Sequence, residues 1–171
     1  MSVPGITETT QFLTFTLADE VFAVDISQVK EVLEWTPMTK VPRTPAFMCG
    51  VTNLRGSVVP VVDMRLKFGM SKGDRTVNTC IIIVEVNVED GQTVLGAMAD
   101  SVREVIGLEP DQIEPPPKIG TKLRTEFIKG MGKRDGQFII ILDTDKVFSA
   151  EELSLMGEAG DGRPGESAAA A

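Results

Sequence analysis

The chain has 171 residues, 42% hydrophobic and 25% charged, long enough for one ordinary domain or two small ones. It contains no histidine, which excludes Ser-His-Asp and Cys-His catalysis, histidine-ligated zinc or haem, and a phosphohistidine relay within the chain. A net charge of -8, one Trp and no Tyr argue against nucleic acid, whose phosphates need clustered cations and whose bases need aromatic platforms, and so favour a protein partner.

The start, MSVPGITETTQ, has neither a basic region nor an apolar run, so residues 1–10 read as a flexible, cytoplasmic N-terminus without a secretory signal. No later apolar run nears the ~20 residues of a membrane span. From Gln11 to Asp25, QFLTFTLADEVFAVD alternates apolar residues around an Ala-Asp-Glu turn and predicts a hairpin. A short helical piece is expected near 45–49. Residues 50–68, GVTNLRGSVVPVVDMRLKF, set Arg55 at a Gly-marked turn between two apolar runs and end in a helical pattern over 63–68. TCIIIVEV (79–86), VLGAMA (94–99) and QFIIIL (137–142) are β-branched and bounded by turn residues, and so predict strands. A last helical piece is expected within 143–156, and residues 157–171, GEAGDGRPGESAAAA, read as a disordered tail. Cys49 and Cys80 lack CxxC spacing and have apolar neighbours, so both are expected to be buried thiols.

The two halves resemble each other. VFAVDISQVKEV (21–32) lies on VLGAMADSVREV (94–105) at an offset of 102 minus 29, or 73. GVTNLRGSVVPVVDMRLKF lies without a gap on GMGKRDGQFIIILDTDKVF (130–148) at an offset of 130 minus 50, or 80. The difference is a seven-residue insertion at the Pro-rich EPDQIEPPPKIG, which reads as a loop whose prolines stiffen a connection between strands. A small, mostly antiparallel barrel of about five strands, occurring twice at about 11–70 and 77–148, accounts for the repeat.

Few residues suit chemistry. Asp63 ends an apolar strand, as does the phosphoacceptor of a receiver domain, but the repeat has Asp143 at the same place before a second helical pattern. A helix cap explains both aspartates. No phosphate loop or metal-ligand spacing occurs, so no cofactor and no metal are expected. Arg55 differs, because the second copy carries Asp135 there. Its planar five-donor head and apolar stem suit contact with another protein, and an intramolecular pair with Glu31 or another nearby acid is compatible with that role.

FLTFTLADEVFAVDISQVKEV, TPAFMCGVTNLRGSVVPVVDMRLKF and VLGAMADSVREVIGL resemble the chemotaxis coupling protein family, CheW, over about residues 11–156. The resemblance implies a mainly β fold of two intertwined five-stranded SH3-like barrels with short helices. It implies a cytoplasmic, non-catalytic adaptor that joins the cytoplasmic tips of transmembrane chemoreceptors to the regulatory domain of a histidine autokinase, CheA, in membrane-associated arrays. The partner-binding residues it implies are Glu31 and Arg55, with Asn53 in the same Asn-Leu-Arg-Gly motif and Val29 and Gly50 nearby. Val102 and Val105 join them from a groove between the barrels. The competing function is an enzyme or phosphorelay receiver working through Asp63.

Overall fold

The computed structural model describes residues 8–71, 73–88, 91–115 and 127–148. Within them the chain runs β1 (Thr10–Leu17), β2 (Glu20–Asp25), β3 (Val29–Glu34), β4 (Met48–Leu54), β5 (Ser57–Asp63), α1 (Met64–Lys67) and β6 (Cys80–Val88). It continues with β7 (Gly91–Ala99), β8 (Ser101–Leu108), β9 (Ile113–Glu114), β10 (Ile128–Arg134), β11 (Gln137–Leu142) and α2 (Thr144–Val147). The 1–7 end, Pro116 and Pro117, residues 149–156 of the last helical piece and the 157–171 tail lie outside the described residues.

The expected hairpin forms as β1 and β2, turning through Ala18 and Asp19 at φ 50 and 71. No helix forms at 45–49. There Met48 donates to the Pro45 carbonyl at 3.0 Å in a single turn, and β4 starts at once. An isolated helical turn returns one hydrogen bond for three fixed residues, whereas β4 gains a ladder with β5. The inserted Pro-rich segment is more than loop, since β9 pairs with β10 through Ile113 and Glu114.

Among the described residues the strands form two sheets, ordered β8-β1-β2-β11-β10-β9 and β3-β6-β7-β5-β4. We call them the β1 sheet and the β6 sheet. They do not divide at 11–70 and 77–148, because each takes strands from both repeats. Replacing each strand by its repeat counterpart converts one order into the other, apart from the short β9. The exchange is accurate to the residue: Val61 pairs with Gly96 in the β6 sheet, and their counterparts Ile141 and Ala23 pair in the β1 sheet. Bulges repeat as well, between Met48 and Gly50 and between Ile128 and Gly130.

Burial explains why the repeats interleave. Along β6, Ile81 and Ile83 pack inside their own sheet, while Ile82, Val84 and Val86 face a large cluster between the sheets. Along β1, Phe12 packs inside its sheet, and Leu13, Phe15 and Leu17 face the same central cluster. A strand covered on both faces needs a continuous apolar run rather than alternation, and CIIIV supplies one. Leu33 of β3 and Cys49 and Leu54 of β4 share the inner cluster although β3 and β4 end the sheet, so the sheet curls until its two edges approach. Ring contacts cross the central cluster from Phe15 to Phe22 at 5.9 Å, to Phe68 at 5.8 Å and on to Phe127 at 6.0 Å.

The two short helices are capped alike. Asp63 Oδ1 accepts from the Leu66 N–H at 3.2 Å, and Asp143 Oδ1 from the Lys146 N–H at 3.3 Å. Each aspartate also donates its own N–H to a phenylalanine carbonyl, Phe47 at 2.7 Å and Phe127 at 2.8 Å.

Because the central cluster belongs to both sheets, they should unfold together. Phe22→Ala, in the β1 sheet and fully buried, should cost about 3–5 kcal/mol. The loss should appear equally in the fluorescence of Trp35, which follows β3 in the other sheet, and in circular dichroism across a urea titration. Two separated transitions would contradict a shared core. Asp63→Asn keeps an oxygen for the cap but loses its charge, and should lower stability by about 1 kcal/mol in the same titration.

Candidate functional site

The candidate site starts from a two-residue turn. Leu54 and Ser57 close the β4–β5 hairpin, leaving Arg55 at φ 51 and Gly56 at φ 87. Two successive positive φ values make the primed turn that suits the twist of a hairpin, and it favours Asn, Asp or Gly at its first position. The second repeat obeys that preference with Asp135 at φ 52 before Gly136 at φ 77. Arginine in the left-handed region is therefore a local cost, carried at the one turn position where the repeats diverge in chemistry. Asn53 braces the turn by accepting the Gly56 N–H on Oδ1 at 3.0 Å.

The guanidinium does not float. Arg55 Nη1 donates to Glu31 Oε1 at 2.6 Å and Nη2 to Glu31 Oε2 at 2.9 Å, a two-point fork. Glu31 reaches it from β3, just past a bulge between Val29 and Glu31. The bulge changes the phase of β3: Val29 before it lies opposite Val84 toward the central cluster, whereas Glu31 and Leu33 after it lie opposite Ile83 and Ile81 on the inner face, and Lys30, Val32 and Glu34 are exposed. The side chains are unequally covered, 76% exposed for Arg55 and 24% for Glu31. The hydrogen bond that Arg55 donates to Glu31, followed by the charge of Glu31, holds the Arg55 pKa above its ordinary value. A carboxylate that is largely covered thus orients an arginine that is largely open.

The other expected positions separate into two groups. Val29 and Val102, counterparts in the repeat, are half-buried and pack against the central cluster from the two sheets. Gly50 is buried, at φ +147, and a side chain there would meet the Thr39 carbonyl oxygen at 2.5 Å. It serves the close approach of the 38–40 segment to β4 rather than offering a surface of its own. Val105 is 49% exposed, and so is Val32, its counterpart, at 42%.

Sequence reasoning passed over four exposed apolar residues, Val32, Val58, Val77 and Phe138. Val58 and Phe138 are counterparts, so the repeat carries the same outward apolar pair twice: Val32 with Val58, and Val105 with Phe138. The signal was present in the alignment, as apolar residues in the outward phase of both copies. Burial singles them out, because alternation alone does not say which phase faces solvent.

A cavity of about 460 Å³ lies apart from Arg55, lined by Trp35, Met38, Met48, Arg65, Arg75 and Asp100 among others. Arg75 stacks on the Trp35 ring at 3.6 Å, and Arg65 is paired with Asp100. These cations are engaged within the chain. Asp63 also borders the cavity but is only 3% exposed and is occupied as a cap. Cys80 is buried and Cys49 half-buried, and burial pushes the Cys80 thiol pKa up, away from a reactive thiolate.

Comparison with known proteins agrees with this architecture. A profile of the CheW-like domain matches residues 11–152. The chemotaxis protein CheW of Klebsiella aerogenes is 37% identical over 152 residues, covering 89% of each chain. Protein FrzA of Myxococcus xanthus is 35% identical over 127 residues, covering 74% of this chain and 76% of its own. Among solved structures, the scaffolding protein TtCheW of Thermoanaerobacter tengcongensis superposes with a TM-score of 0.75 at 36% identity, covering 84% of this chain and 94% of that one. On the profile match, the identity and the shared arrangement of sheets, this chain belongs to the CheW-like family of chemotaxis proteins.

Proposed function

We propose that this chain is a non-catalytic adaptor in the cytoplasm, joining the cytoplasmic tip of a transmembrane chemoreceptor to the regulatory domain of a histidine autokinase beneath the membrane. The forked Arg55–Glu31 pair carries this reading. Glu31 fixes the direction of the guanidinium, and the remaining donors and the alkyl stem stay open to a second protein. Arginine is retained in a turn conformation that favours other residues, which is a cost without benefit to the hairpin itself.

The receptor segment has a natural seat between the sheets, where Val29 and Val102 flank the central cluster. Val105, with Val32, Val58 and Phe138, provides exposed apolar surface for further contacts, and Asn53 and Gly50 act by holding the β4 hairpin in shape. The name scaffolding protein carried by a 36% identical relative supports the same role. A phosphoacceptor role for Asp63 finds no support, since its carboxylate is covered and committed to α1.

Arg55→Ala should weaken binding to a receptor or kinase fragment by about 10-fold or more, the scale of an arginine at an interface centre. The thermal midpoint should move by no more than about 3 °C, because an exposed ion pair contributes little to folding. Arg55→Lys should recover little of the lost binding if the fork matters. Calorimetry with each fragment separately, beside a melt of each variant, distinguishes these outcomes. Unchanged affinity for both fragments would leave Arg55 a structural residue.

A further inference from the structure

Within the described residues, the chain passes between the two sheets twice. One crossing leads from β2 to β3 through the 3-10 turn Ile26–Gln28. The other leads from β7 to β8 through the single residue Asp100. Val29 follows the first crossing directly and Val102 lies two residues past the second, so both half-buried valines stand beside the joints of the molecule.

Each crossing is held by a helix. Thr144 Oγ1, at the start of α2, donates to Gln28 Oε1 at 2.6 Å, and Gln28 Nε2 donates to Asp145 Oδ1 at 3.2 Å. Asp145 Oδ1 also accepts the Asn87 N–H of β6 at 2.9 Å, which ties the end of the β1 sheet to the β6 sheet. At the other crossing, Arg65 of α1 donates from Nε to Asp100 Oδ1 at 2.9 Å and to Oδ2 at 3.1 Å, and from Nη2 to Oδ2. Asp100 Oδ2 in turn accepts the Ala18 N–H of the β1–β2 turn at 2.8 Å, and the Asp100 N–H donates to the Thr16 carbonyl at 3.0 Å.

Arg65 and Asp145 are repeat counterparts, 145 minus 65 being the offset of 80. The same helix position thus reaches the opposite sheet in both copies, directly through an acid in one and through an arginine and an acid in the other. The charged version is the stronger hold. Burial alone would raise the Asp100 pKa, but hydrogen bonds from Arg65 and the Ala18 N–H, with the charge of Arg65, bring it below its ordinary value. Asp63 and Asp19 add to the negative field around Arg65, and its Nη1 donates to the Ser71 carbonyl at 3.4 Å.

We propose that Arg65 and Asp100 are positioning residues that set the angle between the two sheets, and with it the spacing of Val29 and Val102, which flank the seat proposed for the receptor segment. The inference rests on the adaptor reading for its ligand but not for its geometry. Arg65 and Asp100 touch no partner in this scheme. They act through the crossing, by fixing where the chain leaves β7 of the β6 sheet and enters β8 of the β1 sheet.

The test uses the full chain with Asp100→Asn, Arg65→Gln and the conservative Arg65→Lys. Backbone residual dipolar couplings report the orientation of each sheet, and calorimetry with a receptor cytoplasmic-tip fragment reports receptor binding. The wild-type couplings should fit one relative orientation. Asp100→Asn and Arg65→Gln should change that orientation while each sheet keeps its internal couplings, and should weaken receptor binding by about 2- to 30-fold, the usual range for mutations that act at a distance. Arg65→Lys, which keeps charge but not the fork, should fall between. Unchanged sheet orientation, or unchanged binding by folded variants when the wild type binds, would overturn the proposal. A wild-type chain that binds no receptor fragment would instead remove the adaptor reading, and the couplings would still decide whether the pair sets the angle.

Discussion

Burial of β1 and β6 on both faces is the constraint on which the rest of the structure depends. Ile81 and Ile83 look into one sheet and Ile82 and Val84 into the space between the sheets, so β6 has no face to offer water. Its counterpart β1 is in the same position, with Phe12 on one side and Leu13 and Phe15 on the other. A single repeat contains one such strand and too little surface to cover it. Two repeats cover each other by exchange, each giving two strands to one sheet and three to the other. The two sheets are therefore halves of one core rather than neighbours across a linker.

On that shared core the two repeats are free to differ only where packing does not decide. The caps Asp63 and Asp143, the paired bulges and the phenylalanine contacts are the same in both copies because the fold needs them. The hairpin turns are not the same. Asp135 sits in its turn at little cost, whereas Arg55 occupies the same backbone conformation against preference and is steadied by Glu31 from across the sheet edge. That contact is possible only because the β6 sheet curls until β3 and β4 approach, so the site depends on the core although no core residue belongs to it.

Much of this was legible in the sequence. Alternation predicted β1 and β2, the β-branched runs predicted β6, β7 and β11, and two alignments at different offsets predicted the repeat. The capping role of Asp63 followed from comparing it with Asp143. The interleaving came from the family resemblance and not from the repeat itself, because pairing partners far apart in the chain leave no local trace, and a linear repeat suggests two consecutive units. The strand at 48 was misread as helix since a short apolar stretch after proline has no period long enough to distinguish the two. The Arg65–Asp100 tie escaped for a related reason: an arginine on a helix pattern and an aspartate in a turn are ordinary until the topology brings them together. Glu31 and Arg55 were named as a pair from family resemblance and chemistry, and their fork is geometry that only coordinates supply.

The most direct measurement exchanges the charges of the central pair, Glu31→Arg with Arg55→Glu in one chain, and titrates that chain against receptor and kinase fragments beside a thermal melt. If Arg55 serves by presenting its free donors to a partner, the exchanged pair should restore the thermal midpoint of the wild type while partner binding stays as weak as in Arg55→Ala. Recovery of wild-type affinity by the exchanged chain would mean that the pair only ties β3 to the β4 hairpin, and that partners are recognised elsewhere.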